Sequence, residues 1–166
     1  MSAKVYNVLF ICTGNSARSI MAEGLMNRLG AGRFAAASAG SHPTGIVNLF
    51  ALQTLATWHI PTVGFRSKSW DEFARPGAPA LDFAFTVCDT AAGETCPVWP
   101  GQPMTAHWGV PDPAAVQGTD EQKAKAFMGT AITLKRRIEL MLALPLNSLA
   151  GMSLQSKIDQ IGKTGA

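Results

Sequence analysis

Cys12 and Arg18, with five residues between them, stand where an apolar run meets a helical pattern. Those two residue types at that spacing suit one kind of chemistry, attack by a sulfur on a tetrahedral oxyanion. Gly14 lets a short loop turn its peptide N–H groups inward as an anion nest. The helix that follows adds unpaired N–H groups and the positive end of its dipole. The planar Arg18 fork can hold two oxygens of one anion. The same field favours thiolate over thiol, so Cys12 is the candidate nucleophile. The oxyanion-binding set is then Thr13, Gly14, Asn15, Ser16, Ala17, Arg18 and Ser19. Asn15 is expected to brace the loop through its side-chain amide, and Ser19 to donate a hydrogen bond to the sulfur. The competing assignment is a buried cysteine acting as a small hydrophobe beside a surface arginine.

Two further thiols, Cys88 and Cys96, lie in a later segment rich in Gly and Pro. Three cysteines make no closed disulfide framework, and Cys-Xaa-Xaa-Cys and His-Xaa3-His spacings are absent. No metal is expected, and the thiols are nucleophilic, redox-active or simply buried. Asp112, just before Pro113, is a candidate general acid or a plain turn residue. His107 and Trp108 read as packing or loop-bracing groups.

The elements that must position these residues follow from pattern. Residues 5–11 are β-branched and aromatic and predict a strand. Met21, Leu25 and Leu29 share a helix face that Gly30 ends. A second strand is expected at 34–38, broken by Ala39 and Gly40, then a helix over 46–58 and a helical turn or two at 69–73. Residues 81–87 read as a buried strand with Cys88 at its exit. Residues 89–117 predict an irregular, functional loop holding at most a short strand near 104–108. Thr119 and Gln122 fit a capping box opening a long helix. Its buried stripe is expected at Phe127, Ala131, Leu134, Ile138 and Leu142. Leu154, Ile158 and Ile161 mark a tail helix that docks on the domain, dimerisation being the other use of such a face.

Strands alternating with helices predict an α/β chain with a parallel sheet and helices on both faces. Ligands of such sheets bind at the carboxyl ends of the strands, and Cys12, Cys88 and the Pro/Gly-rich loop all follow strand ends. With 166 residues, 47% hydrophobic and 15% charged at a mean hydropathy of +0.13, the chain is globular rather than disordered. A net charge of +3 is too small to argue for nucleic acid. No apolar run spans a bilayer or reads as a signal peptide, so a cytoplasmic protein without membrane association is expected.

The run Val8-Leu-Phe-Ile-Cys-Thr-Gly-Asn-Ser-Ala-Arg-Ser19 resembles the signature of low-molecular-weight protein tyrosine phosphatases and the arsenate reductases that share their fold. Met21-Ala-Glu-Gly24 and Ser38-Ala-Gly40 match as well, and the likeness covers roughly residues 5–145. It implies a flavodoxin-like three-layer sandwich with four parallel strands over residues 1–145, followed by a tail helix within 146–166. It also implies that Cys12 is the nucleophile and Asp112 the acid. Val87-Cys-Asp, Glu94-Thr-Cys-Pro-Val-Trp-Pro100 and His107-Trp-Gly-Val-Pro-Asp-Pro-Ala114 resemble the reductase branch coupled to thioredoxin. The phosphatases usually carry a proline after the loop's Arg-Ser and aromatic residues after the Asp-Pro. Here Ile20 and Ala114-Ala115 stand in those places, and a single tyrosine leaves little to stack on a phenol.

The resemblance therefore implies an oxidoreductase for arsenate, serving arsenic resistance, with phosphate or sulfate as mimics of the substrate. Cys12 attacks arsenate, Cys88 attacks Cys12, and Cys96 resolves onto Cys88. No cofactor is bound. Thioredoxin is the implied electron donor, and glutaredoxin with glutathione is the alternative, because the Cys88–Cys96 spacing is one residue wider than the reductase pattern. Phosphotyrosine or phosphoester hydrolysis is the competing activity. Glu23 and Ser38 match positions that bind structural potassium in some relatives, but a solvated helix glutamate reads equally well. A monomer or weak dimer is expected.

Overall fold

A computed structural model describes residues 4–93, 97, 99–149 and 151–164. Strand β1 (Tyr6–Cys12) is buried from Val8 onward, as befits a strand covered on both faces. It lies at the middle of a four-stranded parallel sheet in the order β2-β1-β3-β4, with β2 at Phe34–Gly40, β3 at Phe83–Thr86 and β4 at Met104–His107. The chain leaves β1 for β2 on one side and returns to β3 on the other. The carboxyl end of β1 is thus the switch point where parallel sheets open a crevice, and Cys12 is the last residue of that strand.

Helix α1 (Arg18–Leu29) buries Met21, Leu25 and Met26 and packs on β1, β2 and two later helices, α2 (Leu49–Thr57) and α4 (Asp120–Leu142). The α2 helix starts three residues later than its apolar pattern suggests. Asn48, in extended backbone, accepts the Phe50 N–H and caps it. The capping box of α4 is present, with Thr119 and Gln122 each bonding the other's backbone N–H at 3.2 and 2.8 Å. Its stripe ends on Met141 rather than Leu142, because steps of four, three, four and three from Phe127 keep one face inward.

Two further points differ from expectation. Strand β2 runs through Ala39 and Gly40, since Gly40 pairs with Cys12. A one-turn helix α3 (Asp89–Ala92) follows Cys88 directly, where irregular chain was expected. Ser69–Phe73 is a 3-10 turn capped by the Ser69 hydroxyl, and Pro113–Ala115 is another, capped by Asp112. Helix α5 (Gly151–Ile161) docks on β4 and α4 through Ile158 and Ile161. Within the core, Phe85 stacks on Trp108 with ring centroids 4.2 Å apart. No helix among the described residues is long and apolar enough to cross a membrane.

Candidate active site

The loop after β1 is held from outside by its carbonyls. Thr13 O accepts from His42 N at 2.9 Å, Gly14 O from Thr44 N and the Ser67 hydroxyl at 3.0 Å each, and Ser16 O from Asn48 N at 2.8 Å. In a planar trans peptide the C=O of one residue points opposite to the N–H of the next. The N–H groups of Gly14, Asn15 and Ala17 are therefore turned to the inside of the loop. At the N-terminus of α1, Ala17 offers no side-chain cap, and the first turn holds no acidic residue. The orphan N–H groups of that turn are left for an anion.

Asn15 has φ 46°, a left-handed conformation that asparagine tolerates better than most residues. Its fully buried side chain donates to Ser19 Oγ at 2.8 Å and Ser38 Oγ at 3.0 Å, and accepts from Lys68 N at 2.9 Å. Ser38 passes the chain on to Glu23 at 2.6 Å. Lys68 Nζ stands 3.9 Å from the same Glu23 oxygen, so an ammonium of the chain itself faces the Glu23–Ser38 pair. Burial pushes the Glu23 carboxyl up and pulls the Lys68 ammonium down, each opposed by the other's charge. Ser19 Oγ accepts from the Asn15 amide and keeps its own hydroxyl proton to donate.

Gly40 makes this packing possible. A Cβ there would lie 2.5 Å from Thr13 O and 3.0 Å from both Asn15 N and Asn15 Cβ. Sequence reasoning noted Gly40 as a strand breaker and as the end of the matched Ser38-Ala-Gly40 run, but not as the closest approach to the loop. Ser67 and Lys68, which reach the loop from 53 residues away, left no local signal at all.

Arg18 opens α1 and is mostly buried. Its Nη1 donates to Val110 O at 3.1 Å, and its Nη2 lies 3.8 Å from Asp112 Oδ2. Asp112 also caps its 3-10 turn, accepting Ala114 N at 3.0 Å. The turn role and the approach to Arg18 therefore coexist. Arg18, Cys88, Asp89, Val110 and Asp112 line a cavity of about 560 Å³. Beyond Cys88, Asp89 is tied to His107 at 2.7 Å, and the other ring nitrogen of His107 meets Thr86 Oγ1 at 2.7 Å.

Cys12 and Cys88 are both free thiols and both buried. Thr13 N–H donates to Cys88 Sγ at 3.3 Å, and the Thr13 hydroxyl is 3.4 Å away. The two sulfurs are themselves hydrogen-bonded, so they ionise as a pair. The bond from Cys12 pulls Cys88 down to about 5, opposed by burial and helped by Thr13 and the Ala91 N–H. Cys12 is pushed well up, first because Cys88 holds its proton and then by burial, with Arg18 pulling the other way. The two sulfurs therefore share one negative charge across their S–H···S bond. Cys96 lies outside the described residues. Among the described residues no group of three or more His, Cys, Asp or Glu could hold a metal ion.

The arrangement is a cup for a tetrahedral anion with two coupled sulfurs beside it. The sequence matches the model of a family described as low molecular weight phosphotyrosine protein phosphatase over residues 7–149. It is 33% identical over 140 residues to an arsenate reductase of Oceanobacillus iheyensis, covering 84% of this chain and 96% of that protein. Among solved structures, an arsenate reductase in the phosphate binding state superposes with a TM-score of 0.64 at 27% identity, covering 83% of this chain and 97% of the other. A low molecular weight protein tyrosine phosphatase from T. tengcongensis superposes with a TM-score of 0.64 at 25% identity, over 84% and 99% of the two chains.

Proposed function

Because the chain belongs to the low-molecular-weight phosphotyrosine protein phosphatase family, we propose that it applies that family's fold to the reduction of arsenate to arsenite. One observation carries this reading: a second buried thiol, Cys88, is hydrogen-bonded to Cys12 at the mouth of the loop. Hydrolysis has no use for such a thiol, because its water attacks phosphorus rather than sulfur.

Arsenate enters the cup, its oxygens held by the inward N–H groups and the Arg18 fork. The pair shares one proton across its S–H···S bond, and with that proton on Cys88 the Cys12 thiolate is the nucleophile. The Cys12 thiolate attacks arsenic, and one oxygen departs as water with a proton from Asp112. Cys88 then loses its proton to solvent through the cavity that Asp89 and Asp112 line. Its thiolate attacks Cys12 Sγ, so that a Cys12–Cys88 disulfide forms while the sulfur–arsenic bond breaks. The electron pair of that bond stays on arsenic, which leaves as arsenite. Cys96 next attacks Cys88, regenerates the Cys12 thiolate and forms a Cys88–Cys96 disulfide. Thioredoxin reduces this last disulfide, with glutaredoxin and glutathione as the alternative donor. A cycle that begins from three reduced thiols suits the cytoplasm.

The competing reading is phosphoester hydrolysis, favoured by the family description and by Asp112 beside Arg18. One experiment separates the two: arsenate with thioredoxin, thioredoxin reductase and NADPH, run beside p-nitrophenyl phosphate. Arsenate-dependent NADPH oxidation that vanishes in Cys88→Ser, with any arylphosphatase activity retained, is the expected result. Strong phosphoester hydrolysis with no arsenate-dependent oxidation would select the phosphatase.

A further inference from the structure

We propose that Arg137, clamped by the C-terminal tail, is a positioning residue for the loop that aims Arg18 and Asp112. The proposal rests on residues 12–18 being an oxyanion cup and needs no particular reaction there. The family match stops at residue 149, and α5 lies wholly beyond it.

Arg137 is 1% exposed, and its hydrogen-bond partners are backbone carbonyls. Its Nε donates to Thr164 O at 2.9 Å, just past α5. Its Nη1 donates to Trp108 O at 2.7 Å and Gly109 O at 3.0 Å. The next carbonyl along, Val110 O, is the one that receives Arg18. One rigid guanidinium therefore joins the tail to the stretch of chain that fixes the cation of the cup, and Asp112 follows two residues later. A flexible ammonium could not span the same three acceptors in one plane.

The tail is seated closely enough to make this a fixed brace. Trp108 Nε1 donates to Ile158 O at 3.0 Å, and Gln155 Nε2 donates to Thr105 O at 2.8 Å. Gly162 lies flat on the end of β4. A Cβ there would run into the His107 carbonyl oxygen and stand 2.8 Å from Trp108 Cδ1. Neither neighbour yields cheaply, since one is backbone and the other is a ring stacked on Phe85. A single methyl group at position 162 would thus lift the tail from the loop without touching the cup.

The test uses the full chain as wild type, Gly162→Ala, Arg137→Lys and Gln155→Ala. Binding of inorganic phosphate is measured by calorimetry and thermal midpoints are recorded alongside. Displaced positioning groups weaken binding steeply, so Gly162→Ala and Arg137→Lys are expected to raise the phosphate Kd about tenfold. Gln155→Ala, which cuts a tail contact away from the loop, is expected to lower the midpoint and leave Kd unchanged. Where arsenate turnover is measurable, the loss in kcat caused by Gly162→Ala should shrink in an Asp112→Asn background, because both act through one loop. Wild-type Kd in both Gly162→Ala and Arg137→Lys overturns the proposal, as does an equal loss in Gln155→Ala. A wild type that binds phosphate but reduces no arsenate removes the reductase reading and leaves the brace standing.

Discussion

Replacing Gly40 by alanine adds one methyl group at the closest approach between β2 and the loop. The new Cβ would lie 2.5 Å from Thr13 O, whereas real Cβ contacts essentially never fall below 3.0 Å. The Thr13 carbonyl must therefore retreat by at least 3.0 − 2.5 = 0.5 Å. It cannot do so alone. Asn15 N and Asn15 Cβ, each 3.0 Å from the new atom, are at the limit too, and Asn15 is anchored to Ser19, Ser38 and Lys68. Overpacking against such a site costs roughly 1–3 kcal/mol, or about 2–12 °C of thermal midpoint for a chain of this size. The moved peptides are those whose N–H groups face the anion. Since a shift near 1 Å can cost about 100-fold, a half-ångström displacement is expected to lower kcat/KM for arsenate on the order of tenfold and to weaken phosphate binding in step. Steady-state kinetics and calorimetry on Gly40→Ala read both. A variant with kcat/KM and phosphate affinity within a factor of two of wild type would refute the account of the loop as a fixed cup.

Three more outcomes follow from the geometry. Cys96→Ser should release one arsenite per chain in a single-turnover assay and then stop as a Cys12–Cys88 disulfide visible by mass spectrometry; continued cycling would sink the three-thiol scheme. Asp112→Asn keeps the turn but removes the proton, and should lower turnover by about 100- to 10,000-fold, with the loss in kcat rather than in phosphate affinity. The thiol pair also sets a stability profile. The pair loses its first proton at about 5 in the folded chain, whereas an unfolded thiol does so near 9, so the folded state binds fewer protons between those values and gains stability as pH rises through them. Above about 9 the raised Cys12 works in reverse, because the unfolded chain alone loses that proton. Denaturation midpoints against pH should show this rise in wild type and not in Cys88→Ser. Parallel profiles would place the charge elsewhere.

The strand, loop and helix around Cys12 were legible because everything they need is local: an apolar run, Gly14, an arginine at the first helical position and a 3.6-residue stripe. The α4 capping box was legible for the same reason, through Thr119 and Gln122. The start of α2 was not, because a hydrophobic count sees Ile46 while the Asn48 cap decides the boundary. The supports of the loop were hidden as well. Ser67, Lys68 and the 42–48 segment meet it only through tertiary closure, and the pattern of residues carries no trace of which carbonyl they seek. The coupling of the two thiols was hidden for a related reason. Arg18 and the helix dipole are visible beside Cys12 in the sequence, whereas the S–H···S bond and the Thr13 N–H on Cys88 arise only when β1 and β3 are side by side. Arg137 carried no local signal of its role, because the tail carbonyl it holds lies 27 residues away.

The carbonyls of Thr13, Gly14 and Ser16 are each grasped from outside the loop, by His42, Thr44, Asn48 and Ser67. Every such peptide works as a seesaw: a tug on its outer oxygen swings the hydrogen at the other end of the plane. Discrimination between tetrahedral anions of different girth can therefore be retuned from His42, Thr44, Asn48 or Ser67, in a second ring of the protein behind the inward N–H groups.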